Sequence, residues 1–105
     1  MNGEFEVSQS GLANQQLVEL LEALRKRGAG GVAAQAARWI IEELARTPLE
    51  FGESRNHLEH LELYVRVGFA GPWKVEFAVH VLHRKVFIRE WKLSRRRNGR
   101  RRGAP

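Results

Sequence analysis

Ten cations crowd the last part of the chain. Residues 84–105 hold Arg84, Lys85, Arg89, Lys92 and the six arginines Arg95, Arg96, Arg97, Arg100, Arg101 and Arg102 against one acid, Glu90, a net +9. The preceding 83 residues hold eight basic and eleven acidic residues, a net −3, so the formal +6 of the whole chain conceals an acidic body and a basic end. Guanidinium groups in such density suit bidentate contact with phosphate, and a polyanion, nucleic acid first, is the expected partner. Upstream, Arg66, Lys74 and His80 sit on segments of alternating polarity, so with Arg89 they can project from one sheet face. Two His-x-x-His spacings, His57/His60 and His80/His83, raise zinc as an idea. Positions three apart on a strand point to opposite faces, and neither pair has carboxylate or cysteine support, so no metal site is expected. The absence of cysteine excludes a disulfide scaffold, a thiol nucleophile and a cysteine-based zinc centre.

These residues need elements to hold them. At 105 residues and 43% hydrophobic content the chain has material for one modest core. Glu4 to Val7 read as a short strand. Ser8, Ser10 or Asn14 can cap a helix carrying Leu17, Leu20, Leu21 and Leu24 at helical spacing, stopped by "RKRG" with Gly28 just past its end. A second helix from near Val32 presents Ala33, Ala36, Ala37, Ile40, Ile41 and Leu44, and ends at Thr47 before Pro48. The two form an antiparallel hairpin over about residues 12–46. "PLEFGESRNH" reads as a loop. The period then changes to two: Leu61, Leu63, Val65, Val67 and Phe69 alternate with Glu62, Tyr64, Arg66 and Gly68, and Trp73, Val75, Phe77, Val79 and Val81 with Lys74, Glu76, Ala78, His80 and Leu82. With "VFIREWKL" this makes an antiparallel meander with one face under the helices and the other in water. The fold class is therefore α+β, one domain over residues 1–94, followed by an arginine-rich tail at 95–105 expected to be disordered and to act as an affinity device. Trp39 and Trp73 are expected core anchors.

Two registers of the last strand stay open. In the favoured one Val86 and Ile88 face the helices, leaving Phe87, Arg89 and Trp91 outside and Glu90 inward. In the other Phe87, Trp91 and Leu93 go inside and take Arg89 with them, at the cost of burying a guanidinium. Ordinary cross-strand pairing is the bland alternative to a site. A turn centred on Gly71 sets Arg66 opposite Glu76 and Glu62 opposite His80, with Tyr64 as a half-buried strand aromatic. The N-terminus "MNGEFEVSQS" lacks the basic start and apolar run of a signal peptide, and no apolar stretch is long enough for a bilayer. A cytoplasmic location without membrane partners is expected.

The order of short strand, helical hairpin and three-stranded meander resembles the RelE/ParE toxin superfamily of bacterial type II toxin–antitoxin systems. The likeness is carried by residues 42–93, above all "PLEFGES" followed by "PWKVEFAV", with the pattern aromatic, basic, apolar, x, aromatic at Trp73–Phe77. The resemblance implies a toxin neutralised by a cognate acidic antitoxin. It implies first a ribosome-dependent, metal-independent mRNA endoribonuclease and, as the alternative, a non-enzymatic relative that poisons gyrase or binds nucleic acid or its antitoxin only; fold alone does not choose. No cofactor is implied. Cleavage through the RNA 2′-hydroxyl needs a base, cations on the phosphate and an acid for the leaving oxygen. Arg66 and Lys74 match basic positions with which RelE-like toxins clamp the phosphate, and Arg89 and Lys92 the basic end of the last strand. Where active relatives commonly carry Tyr or His this chain has Trp91 and Lys92. Tyr64, His80 or Lys92 then remains as proton carrier, and Trp91 as a base-stacking group.

Overall fold

A computed structural model describes residues 4–94. Strand β1 (Glu6–Gln9) leads into helices α1 (Gly11–Lys26) and α2 (Gly30–Arg46), followed by β2 (Glu53–Leu58), β3 (Leu63–Ala70), β4 (Trp73–His80) and β5 (Lys85–Leu93). The five strands form one mixed sheet in the order β1-β5-β4-β3-β2, antiparallel throughout except where β1 lies parallel to β5. The α+β class is as the sequence predicts, and the N-terminal strand, expected beside either the last or the middle strand of the meander, takes the last. The arginine tail lies outside the described residues.

Local chemistry explains the helical hairpin. Ser10 caps α1, its hydroxyl accepting from the Ala13 amide at 3.0 Å. Gly28 takes φ +79° after the last turn, the left-handed geometry in which a helix stops on glycine. Leu17, Leu24, Ala33, Ala37, Ile40 and Leu44 turn inward onto Trp73, Val75, Phe77, Val79, Val86, Ile88 and Trp91 of the sheet. Trp73 is fully buried, and its indole N–H donates to the Ala33 carbonyl at 2.8 Å, which pins β4 to α2. Trp39 is not a core residue. It is 47% exposed and meets the Phe51 ring edge-on at 5.7 Å.

Three further expectations need correction. First, residues 53–58 are a strand, not a loop. Every residue of β2 but Leu58 is exposed, so the segment carries no alternation to read; its order comes from pairing with β3. A bulge at Arg55 interrupts that pairing.

Second, β3 faces the other way. Ala70 pairs with Trp73, so the hairpin turns on two residues, Gly71 and Pro72, with Gly71 at φ +56°. That is turn geometry that asks for glycine first. A two-residue turn slips the pairing by one from a turn centred on Gly71. Arg66 lies opposite Phe77, and His80 opposite Leu63. Since Phe77 faces the helices, so do Tyr64, Arg66, Gly68 and Ala70, while Val65, Val67 and Phe69 share the opposite, open face with Ala78, Glu76 and Lys74, where Val65, Val67 and Ala78 are themselves buried. Gly68 is needed on the inner side: a Cβ there would sit 2.2 Å from the Phe51 ring, which stacks on Phe77.

Third, β5 follows neither register alone. Glu76 pairs with Glu90 but Phe77 pairs with Ile88, which makes Arg89 the extra residue of a bulge. Before the bulge Val86 and Ile88 point inward; after it Trp91 does, with Leu93 packed beside it. The bulge thereby buries both apolar sets and keeps Arg89 outside, while Glu90 is only half-buried.

Candidate functional site

The register fixes which cations can meet. Rows across β3, β4 and β5 on the open face read Phe69–Lys74–Lys92, then Val67–Glu76–Glu90, then Val65–Ala78–Phe87, then Leu63–His80–Lys85. Lys74 and Lys92 are direct cross-strand neighbours, two like charges side by side at the end of β5 where the chain runs on into the arginines. Arg89 pairs with Glu76 at 3.3 Å, Lys92 with Glu90 at 3.6 Å and Lys85 with Glu6 at 3.8 Å. All of these are solvent-accessible pairs of small energetic weight.

Arg66 does not join Lys74 and Arg89. From the helix side of β3 its Nε donates to the Phe51 carbonyl at 3.1 Å and a terminal nitrogen donates to the Gly52 carbonyl at 2.9 Å. These bonds hold the crossing from α2 into β2. Trp91 is 1% exposed, meets Trp73 edge-on at 5.2 Å, and donates its indole N–H to Gln9 Oε1 at 2.9 Å. It is a core residue and has no face free for a base.

His80 lies six positions along β4 from Lys74, about 20 Å away at strand spacing. Its ring stacks on His83 at 4.4 Å, and its Nδ1 accepts from the His83 amide at 3.4 Å. The turn after β4 thus brings onto one side two rings that strand alternation would separate. Tyr64 stacks on His57 at 3.9 Å across β2 and β3. The six candidate catalytic residues therefore divide into two groups. Tyr64 and Arg66 are on the helix side near the β2 edge, with His57 beside them. Lys74, Arg89, Lys92 and His80 are on the open face, spread along its length.

Sequence reasoning weighed His57 only as half of a zinc spacing and missed it as the neighbour of Tyr64, because its strand carries no alternation. It placed Phe87 outside without giving it a role, although Lys85, Phe87 and Arg89 alternate cation, ring and cation, and that signal is visible in the sequence. Among the described residues no three His, Asp or Glu side chains gather as metal ligands, and no helix is long and apolar enough to cross a membrane. The Arg25 guanidinium, raised above its ordinary pKa by its hydrogen bond to Glu22 and then by the Glu22 charge, lies on the exposed side of α1 and belongs to no site. No protein-family model, curated protein or solved structure matches the chain.

Proposed function

We propose that this chain is the toxin of a type II toxin–antitoxin pair with RelE/ParE-like architecture, resident in the cytoplasm, and that it acts by gripping nucleic acid. The observation that carries the reading is continuity of positive charge. The Lys74–Lys92 pair stands at the end of the sheet from which Arg95, Arg96 and Arg97 follow in sequence. Phosphates neutralised along such a track release counterions and bind with strong salt dependence. The resemblance in residues 42–93 and the order β-α-α followed by a meander support the toxin assignment. An acidic antitoxin is the partner that this charge calls for.

Cleavage is the second reading, favoured by one observation: Tyr64, His57 and Arg66 lie together on the helix side of β2 and β3. Against it, the two rings stack on each other, and the guanidinium already serves two carbonyls. Binding is thus the better-supported activity. Induced expression of the full chain in a bacterial host, scoring growth and mapping mRNA ends, tests both. Growth arrest relieved by an acidic neighbouring gene product, with mRNA ends unchanged, is the expected result. New mRNA ends that vanish with His57→Ala would establish the ribonuclease instead, and unimpaired growth would remove the toxin reading.

A further inference from the structure

The open face of the sheet is more than a basic surface, because it carries an aromatic ring between its cations. Phe87 projects from β5 at 42% exposure. Beside it lies a hollow of about 320 Å³ lined by Ser8, Gln9, Ser10, Phe87, Ile88 and Arg89, where β1 runs parallel to β5. Ser8 is the direct cross-strand partner of Phe87, so its hydroxyl stands next to the ring. On the same face Lys85 precedes the ring by two residues, and Arg89 follows it by two. Steps of two along a strand are about 6.8 Å. Beyond the bulge, Lys92 and Lys74 continue the line toward the arginines.

We infer that this face binds a single strand of nucleic acid, with an unpaired base stacked on Phe87 over the Ser8 hollow and its phosphates along Lys85, Arg89, Lys92 and Lys74. The inference rests on the nucleic-acid reading above and adds the strandedness of the ligand and the residue that selects it. A ring standing up from a sheet needs the flat face of a base. In a duplex both faces of each base are covered by neighbours, and only edges reach the grooves. Sheet faces bearing aromatics among cations suit unpaired bases for this reason, and because every base has a π-face they select strandedness rather than sequence. The Ser8 hydroxyl, both donor and acceptor, can meet the edge of whichever base stacks. Glu76, Glu90 and Glu6 share the face, but each is held by Arg89, Lys92 or Lys85 in an accessible pair that a phosphate displaces at small cost.

Anisotropy titrations of the full-length protein with a labelled mixed-sequence RNA strand, its DNA counterpart and the duplex of each with its complement test this. Both single strands bind about tenfold or more tighter than their duplexes. Phe87→Ala lowers single-strand affinity about tenfold and leaves the slope against salt unchanged, because stacking releases no counterions; Phe87→Trp restores it. Arg89→Ala instead lowers the slope by about one. Melting temperatures of the variants confirm that each is folded. Equal affinity for duplex and single strand, or a folded Phe87→Ala protein that binds like the parent, overturns the inference while leaving the nucleic-acid reading standing. Failure to bind any of the four ligands overturns both.

Discussion

Arg66 directs its guanidinium at main-chain oxygens, and that decides what its removal does. Arg66→Ala leaves the Phe51 and Gly52 carbonyls without their donor, and the expected loss is about 1–3 kcal/mol in chemical denaturation. Nucleic-acid affinity per folded molecule is expected to stay unchanged. A stable variant with impaired binding would return Arg66 to the site. Lysine is a poor rescue there, since two separate acceptors need the guanidinium's fork of donors. Glu76 behaves in the opposite sense. Its carboxylate holds Arg89 at an accessible position, so Glu76→Gln is expected to tighten nucleic-acid binding about threefold with little change in stability. Equilibrium titration at low salt measures it. Neither role is legible in the one-dimensional pattern, where Arg66 and Glu76 look like partners. The distinction hangs on whether the hairpin turns on three residues or two, and Gly71–Pro72 makes it two.

The elements differ in how plainly their residues announce them. Three of the four helix ends are written in the residues, a serine cap and a glycine stop on α1 and a proline after Thr47 on α2, whereas α2 begins at Gly30 without a side-chain cap. β4 alternates cleanly and buries what it should, Trp73, Val75, Phe77 and Val79. β3 alternates just as cleanly yet the two-residue turn sends its valines away from the helices, and its inner face is filled by a residue from elsewhere. The Phe51 ring lies over Gly68, between Trp39 and Phe77. Periodicity reports that a strand has two faces; which face is covered depends on such borrowed side chains. Gly68→Ala tests this packing. The new methyl meets a ring with aromatic neighbours on two sides, and overpacking of about 1–3 kcal/mol is expected in a urea melt. A neutral result would mean that the ring swings away freely. In β5 the bulge at Arg89 hides the pattern from any fixed period, since Ile88 and Trp91 both face inward three residues apart.

For the molecule as a whole, the split between an acidic body and a basic end predicts separable behaviours. Deleting residues 95–105 removes six positive charges. The salt dependence of nucleic-acid binding is expected to flatten while the denaturation midpoint of the body stays put, since the sequence after Ser94 offers no apolar side chain before Ala104 to bury. An unchanged slope would show that the sheet alone carries the phosphates. The parallel pairing of β1 with β5 also has a consequence in time. The first strand ends at Gln9 and its neighbour begins at Lys85, so about 4–15 s pass between their syntheses at roughly 5–20 residues per second. In the later part of that interval, once Arg46 has been added, the residues of the helical hairpin are present without the strand against which α1 chiefly packs, its leucines open to whatever is near. The nascent chain thus offers an apolar surface that the finished protein conceals. A chaperone or a co-translated partner can capture that surface before the sheet closes over it.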